Sequence, residues 1–457
     1  MGGGGFGGIF YLIKNNFIKK GANQMTKMKE GLRRQGIWLV LVIIFVFMAA
    51  SAWAEPQKIL SAIDANSGNC KVVSQKIFDF KELGQQEFKS SQLLMEELRK
   101  LGYKVTGDLK VPADLVKDGI AKTAFRAELQ GKGPGPTITI MVEYDALKNG
   151  HACGHNLIAT SGLLAAAGLA QIMPETPGRV IVIGTPDEER GSLGGGKIAL
   201  LEGGHFDGSD IVLITHPYDR WSVDQRLLAM KRATFIFKGK SAHAASASHK
   251  GINALRGAIL TFNAVDVLRE HLRQDVRIHG IIKKGGDLVN VVPELAEAEF
   301  AVRALDTATM EDAYQKLGNC AKAGELATGA KLEFKEPRTT LKAPITVPDF
   351  AKMVIDQVRS LGIRESEIKD QTEFASSDLG NVGNAYPTAN LWFKIAPEGM
   401  ALHSDEFRER AASEEGWKAT VIAAKTIALT AYELLTHPDK VKEIQEKFKG
   451  LKAKEGK

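Results

Sequence analysis

The chain predicts an α/β fold, a mostly parallel doubly wound sheet carrying an inserted α+β domain. Three observations predict it. Short β-branched runs at 137–142, 180–183 and 211–214 alternate with helical patterns at 157–172 and 195–201, which is the signature of a parallel sheet. Each run passes directly into a polar motif, and open α/β sheets gather ligands at the carboxyl ends of their strands. Between 227 and 341 the pattern changes to strands at 234–237, 278–282, 298–303 and 331–334 with helices at 253–271 and 310–326, which reads as an insertion with an antiparallel sheet.

The elements justify themselves in order. Residues 1–54 form a leader, with Lys27, Lys29, Arg33 and Arg34 ahead of an apolar run at 37–50 and the small-residue pattern Ser51-Ala52-Trp53-Ala54. That is the shape of a signal peptide cleaved between Ala54 and Glu55, giving an exported, periplasmic or secreted protein with no stable membrane span. The run is short for a span, which needs about 20 residues, so a retained N-terminal anchor is the alternative. Residues 1–24 resemble no targeting signal, and translation is expected to start at Met25 or Met28. Residues 57–101 read as two helices, with apolar positions at Ile77, Phe80 and Leu83 and again at Leu93, Leu94 and Leu98. The catalytic domain spans 55–226, resumes at 342–440 with a strand at 389–395, and ends in a charged, solvated helical tail over 441–457.

Charge and cysteine content exclude two classes. The formal net charge is +6, but the leader alone holds seven basic side chains and one acidic, so the rest of the chain is neutral. Nucleic-acid binding needs a basic face on the folded domain, and none is indicated. Three cysteines, Cys70, Cys153 and Cys320, are too few for a disulfide framework, and Cys70 and Cys320 read as buried free thiols.

The chemistry concentrates in His151-Ala152-Cys153-Gly154-His155-Asn156 and Pro186-Asp187-Glu188-Glu189. Gly150 and Gly154 bracket Cys153 and let the loop bring two metal-ligating side chains to one point. Glu188 and Glu189 follow a strand, where successive side chains point to opposite sides. One can ligate metal while the other serves as general base. His216 and His403 come from two further strand ends. Together Cys153, His155, Glu189, His216 and His403 make five ligands suited to zinc, manganese or cobalt. Five exceed a tetrahedral site that keeps a water position, so two divalent ions per subunit fit better. A Cys–His nucleophilic dyad competes, although residues two apart on a tight turn seldom line up for it.

Seven ordered motifs then carry a family resemblance. They are Glu143-Tyr144-Asp145-Ala146-Leu147, the Gly150 to Asn156 segment, Gly184 to Glu189, Ser241-Ala242-His243-Ala244-Ala245, Asn290-Val291-Val292-Pro293, Ser377-Asp378-Leu379-Gly380-Asn381 and Leu402-His403-Ser404. They resemble the M20 metallopeptidase and amidohydrolase family over about residues 60–435. The nearest branch is its D subfamily, which holds aminoacylase-like amidohydrolases, aminobenzoyl-glutamate hydrolases and an animal M20 domain-containing dipeptidase for β-alanyl-type dipeptides.

The resemblance implies metal ligation by the five residues named, Glu188 as base, and Asp145 behind the metal site. Glu143 stands where other branches have a metal-binding His, and Asn156 where aminoacylase-like members have Asp, a departure that bears on substrate. His243 matches a His that reaches a neighbouring subunit's site and polarises the scissile carbonyl. Asn290 and Arg303 match positions that hold the substrate's carboxylate end, and the inserted α+β domain matches the family's lid and dimerisation domain, which implies a homodimer. The expected activity is hydrolysis of the amide bond in a small N-acyl amino acid or dipeptide. A non-catalytic exported peptide- or metabolite-binding protein on the same fold is the alternative.

Overall fold

A computed structural model of the chain describes residues 55–189, 195–223, 226–370 and 374–455. The leader, its apolar run and the expected cleavage point after Ala54 lie outside the described residues. A first compact unit ends at Lys58, and everything below concerns the second, Ile59–Lys457.

A six-stranded sheet forms the catalytic core, built from β1 (Lys104–Lys110), β2 (Ile120–Gln130), β3 (Thr137–Val142), β4 (Arg179–Gly184), β5 (Ile211–Tyr218) and β10 (Thr388–Lys394). Its order is β1-β2-β4-β3-β5-β10. The last four are parallel, as their continuous apolar runs predict; every residue of Thr137–Val142 is buried. The outer pair, β1 and β2, is antiparallel and carries no pattern that announces it. Lys-Val-Thr-Gly-Asp-Leu-Lys on β1 is exposed at every second position, an edge strand without an apolar run.

Helices cover both faces. One extends to residue 80 (α1); α2 (Phe88–Lys100), α3 (His155–Ala170), α4 (Gly196–Glu202), α7 (Pro348–Ser360), α8 (Leu379–Ala385), α9 (Asp405–Ala411), α10 (Glu414–Thr436) and α11 (Pro438–Lys452) also belong to this unit. α3 is buried along nearly its whole length because it is made of small and apolar residues that admit close approach; a Cβ at Gly162 would meet the Val142 side chain at 2.2 Å. α10 is long and apolar, and it is a core helix packed on α3. The C-terminal helix α11 is charged, as expected, but one face is not solvated: Val441, Ile444 and Phe448 join the core at helical spacing.

A second sheet follows in order β7 (Arg277–Lys284), β8 (Leu295–Ala304), β6 (Ala229–Lys238), β9 (Lys331–Lys335), all antiparallel. Two helices, α5 (Ala254–Leu268) and α6 (Thr307–Thr328), cover one face over a separate core that includes Phe235, Phe237, Phe300 and Tyr314. The caps are those the sequence supplies: Asn253 accepts from Arg256 N and Asp306 from Thr309 N. The cysteines Cys70, Cys153 and Cys320 are buried and free.

Candidate metal centre

β3 has β4 on one side and β5 on the other, so the sheet's topological switch point lies beyond its carboxyl end. The candidate ligands converge there. The loop after β3 carries Cys153, and His155 opens α3. Gly154, the residue before that helix, has φ +79°, and a Cβ on it would meet Pro217 Cγ at 2.6 Å. Both conformation and space therefore demand glycine between the two ligands. Glu189 follows β4, while His216 lies within β5 in register with Trp392 of β10. His403 arrives on the loop after β10. It has φ +68°, and its backbone N–H donates to Ala152 O at 3.0 Å beside Cys153.

The ligand atoms fall into three overlapping groups, each within 4.8 Å: Cys153, His155 and His216; Cys153, Glu189 and His403; and His155, Glu188 and Glu189. Cys153 Sγ is 3.4 Å from His216 Nε2. Glu189 Oε1 is 3.7 Å from His155 Nε2 and 3.4 Å from His403 Nε2. Neighbouring groups fix the tautomers. His155 Nδ1 donates to Asp145 Oδ1 at 2.8 Å, and His216 Nδ1 to the Pro217 carbonyl at 2.8 Å. Each histidine thereby turns a lone pair on Nε2 into the site. Asp145 does a second job, since its Oδ2 accepts from Glu189 N at 2.9 Å and sets the turn that carries both glutamates.

The residues fit a pair of divalent cations. His155 Nε2, Glu189 Oε1 and Glu143 Oε2 are buried with no hydrogen-bond partner. Groups of this kind are costly to bury unless something binds them. Burial, with the Glu189 carboxylate adjacent, pushes the Cys153 thiol well above its ordinary value. Burial also raises Glu189, to about 7, and lowers His216, to about 4. A cation reverses that logic by favouring thiolate, carboxylate and neutral imidazole together.

Glu188 groups with His155 and Glu189 but is in neither of the groups that contain Cys153, and Ser377 Oγ donates to its Oε1 at 2.7 Å. Glu143 is held differently from a ligand. Its Oε1 pairs with Lys197 Nζ at 2.8 Å, and that ammonium also meets Asp378 Oδ1 at 2.6 Å. Burial opposes its ionisation, but Lys197, His155 and His216 hold its carboxyl below the usual range. Lys197 is fully buried and escaped the sequence reading; its only signal is a lone cation at the start of the 196–202 run, ahead of Ile198-Ala199-Leu200-Leu201. Glu87 escaped as well. It is fully buried, and its Oε1 accepts from Asp187 N at 2.9 Å. His151 is structural: its Nε2 meets Ile77 O at 2.9 Å.

The resemblance also singles out Asn156, His243, Asn290 and Arg303, and these lie in different places. Asn156 is buried, and its amide donates to Ser74 Oγ and Ala411 O, both at 3.1 Å. These bonds tie the start of α3 to its neighbours, and Asn156 is in none of the ligand groups. His243 and Asn290 are exposed and sit on one turn, where Ala244 N donates to Asn290 O at 2.9 Å. That turn lies beyond the Leu295 end of β8. Arg303 is near the other end, roughly 27 Å along an extended strand. Its Nη1 donates to Ser376 Oγ at 3.0 Å, next to the serine that holds Glu188. Within one chain, then, Arg303 reaches the serine beside Ser377, and His243 and Asn290 stand apart from Arg303. A cavity of about 430 Å³ opens on Glu189 and His403, lined also by Leu83, Ala146, Leu147 and Asn149. Its size suits a small molecule.

Comparison with known proteins agrees with this geometry. Residues 229–327 match the model of a peptidase dimerisation domain. The chain is 34% identical to human Xaa-Arg dipeptidase over 345 residues, covering 72% of this chain and 78% of that protein. It is 26% identical to a p-aminobenzoyl-glutamate hydrolase chain of Escherichia coli, covering 84% and 93%. Among solved structures, a dinuclear metal-binding peptidase from Bacillus subtilis superposes with a TM-score of 0.62 at 19% identity, over 81% of this chain and 99% of that one. An aminobenzoyl-glutamate utilization protein from Klebsiella pneumoniae gives 0.60 at 18%, over 81% and 97%.

Proposed function

Because this chain belongs to the M20 family of metallopeptidases and amidohydrolases, we propose that it hydrolyses the amide bond of a small N-acyl amino acid or dipeptide. The observation that carries the reading is the pairing of Glu188 and Glu189. One carboxylate lies among Cys153, His155 and His403, and its neighbour is held by Ser377 beside them.

Cys153, His155, Glu189, His216 and His403 would hold two divalent ions, zinc or manganese, with cobalt also suited to the donor set. Bound there, the ions would polarise the scissile carbonyl and make water a better acid. Glu188 takes the proton from the attacking water and delivers it to the leaving amine. Asp145 keeps His155 in its ligating tautomer and the glutamate turn in place. Arg303, anchored to Ser376, receives the carboxylate end of the substrate.

His243 accepts hydrogen bonds at Nδ1 from Ala245 N and Ser246 N, both at 3.2 Å, so the proton of its neutral ring resides on Nε2. That nitrogen can donate to a carbonyl oxygen developing negative charge. Its separation from Arg303 along the lid supports delivery to the site of a second copy, with Asn290 beside it, in a homodimer formed through the lid. The leader supports export, and cell fractionation of the native protein would show it in the periplasm or medium.

A hydrolysis screen of the metal-loaded protein tests the proposal, using N-acyl amino acids, β-alanyl dipeptides and aminobenzoyl-glutamate. Turnover that chelator abolishes and zinc or manganese restores is expected. Binding of these compounds without turnover would favour an exported binding protein. Inactivation of the loaded protein by a thiol-alkylating reagent would favour a Cys153 nucleophile.

A further inference from the structure

The open face of the lid sheet carries two neighbouring guanidinium groups that its own chain does not neutralise. On β8, Ala298, Phe300, Val302 and Ala304 face the lid core, so Ala301 and Arg303 face away from it. On β6 the core takes Ala233 and Phe235, which puts Arg232 on the same open face as Arg303; on β7 it takes Ile278, which puts His279 there. The register places Arg232 and His279 on either side of Ala301, one row from Arg303. Ala301, between Arg232 and His279, is small, so a guanidinium and an imidazole flank a methyl group one row from Arg303. Burial and the charge of Arg303 lower His279, so its ring joins as a neutral N–H donor. Arg277, opposite Arg303 on β7, turns its guanidinium to the Gln274 and Asp275 carbonyls.

Charge at this point is unbalanced. Arg303 is lowered by burial and then by the charge of Arg232, a repulsion between the two guanidinium groups. The next residue of β8 on this face, Glu299, is engaged by Lys283 at 3.3 Å. Among the described residues, Arg232 has no carboxylate within ion-pair distance. Clustered cations are destabilising unless an anion joins them. Arg303 also connects this face to the reaction through Ser376, adjacent to the Ser377 that holds Glu188.

The geometry points to a second anion subsite, formed by Arg232 and His279 over Ala301, that selects substrates whose leaving amino acid has an acidic side chain. This rests on the amide-hydrolase reading, in which Arg303 takes the α-carboxylate. The side-chain carboxylate then enters the adjacent row. A basic side chain placed there meets like charge and is rejected.

The test compares kcat/KM of the metal-loaded, full-length enzyme for N-acetyl-L-glutamate, N-acetyl-L-glutamine and N-acetyl-L-lysine. Glutamate and glutamine share size and shape, so their ratio reads the charge alone. Glutamate is expected to lead glutamine by roughly 10- to 100-fold, with lysine below both. Arg232→Gln should bring the glutamate-to-glutamine ratio to about one, and Arg232→Lys should restore part of it, a pattern that general loss of stability does not produce. A wild-type ratio near one, or a ratio that Arg232→Gln leaves unchanged, overturns the subsite and leaves the hydrolase reading standing. No turnover of any of the three by an enzyme that hydrolyses another compound of the wider screen overturns the subsite alone, and no turnover in the wider screen overturns the hydrolase reading.

Discussion

The hydroxyl of Ser377 donates a 2.7 Å hydrogen bond to Oε1 of Glu188. The contact comes from the start of α8, far along the chain, and it fixes the carboxylate that has the least support from its own loop. It also distinguishes the two adjacent glutamates, because Glu189 is instead held through its backbone by Asp145. Ser377→Ala should therefore misplace the base. Turnover is expected to fall about 10- to 100-fold with metal content unchanged, measured by steady-state kinetics alongside elemental analysis.

Lys197 lies fully buried between Glu143 and Asp378. Replacing it with Met keeps the volume and leaves two carboxylates facing each other without a cation. Removing one partner from a buried ion pair costs about 3–5 kcal/mol. Denaturant melts of Lys197→Met should show a loss of that order, and a loss below about 1 kcal/mol would mean the pair is not shielded from water.

Glu87 provides a pH prediction with a definite sign. Burial, and next the charge of Asp145, raise its carboxyl from 4.5 to about 8. The folded state thus keeps a proton that the unfolded state has released. Its contribution to stability is complete below about 4.5 and is lost as pH rises through 8. Glu87→Gln imitates the protonated acid and still accepts from Asp187 N. In chelated protein it should melt close to wild type near pH 5 and be more stable by at least about 1 kcal/mol near pH 8.

Much of the site could be read from residues alone, for a physical reason. β3, β4 and β5 are continuous apolar runs because both faces are buried, and each delivers a polar motif where the run stops. Cys153, His155, Glu189, His216 and His403 thereby announce a common edge. What could not be read is the burial of charge. Lys197 and Glu87 look like surface residues until the fold encloses them, and Ser377 acquires meaning only from its contact with Glu188. β1 was hidden because an edge strand half in solvent has no apolar run. Asn156 stands beside candidate ligands in the sequence, whereas the turn of α3 aims its amide at Ser74 and Ala411.

Cys153 is within 3.4 Å of His216 and among the atoms that group with Glu189 and His403. Cys153→Ala should reduce bound metal to one ion per subunit or fewer and turnover by at least about 100-fold.

The most direct test of the whole account is Glu188→Gln, with turnover and metal content measured on the same preparation. A base that is not a ligand predicts that hydrolysis is lost while both ions stay bound. Loss of metal together with activity would make Glu188 a ligand, and retained hydrolysis would remove it from the reaction; either result contradicts the division of labour between Glu188 and Glu189.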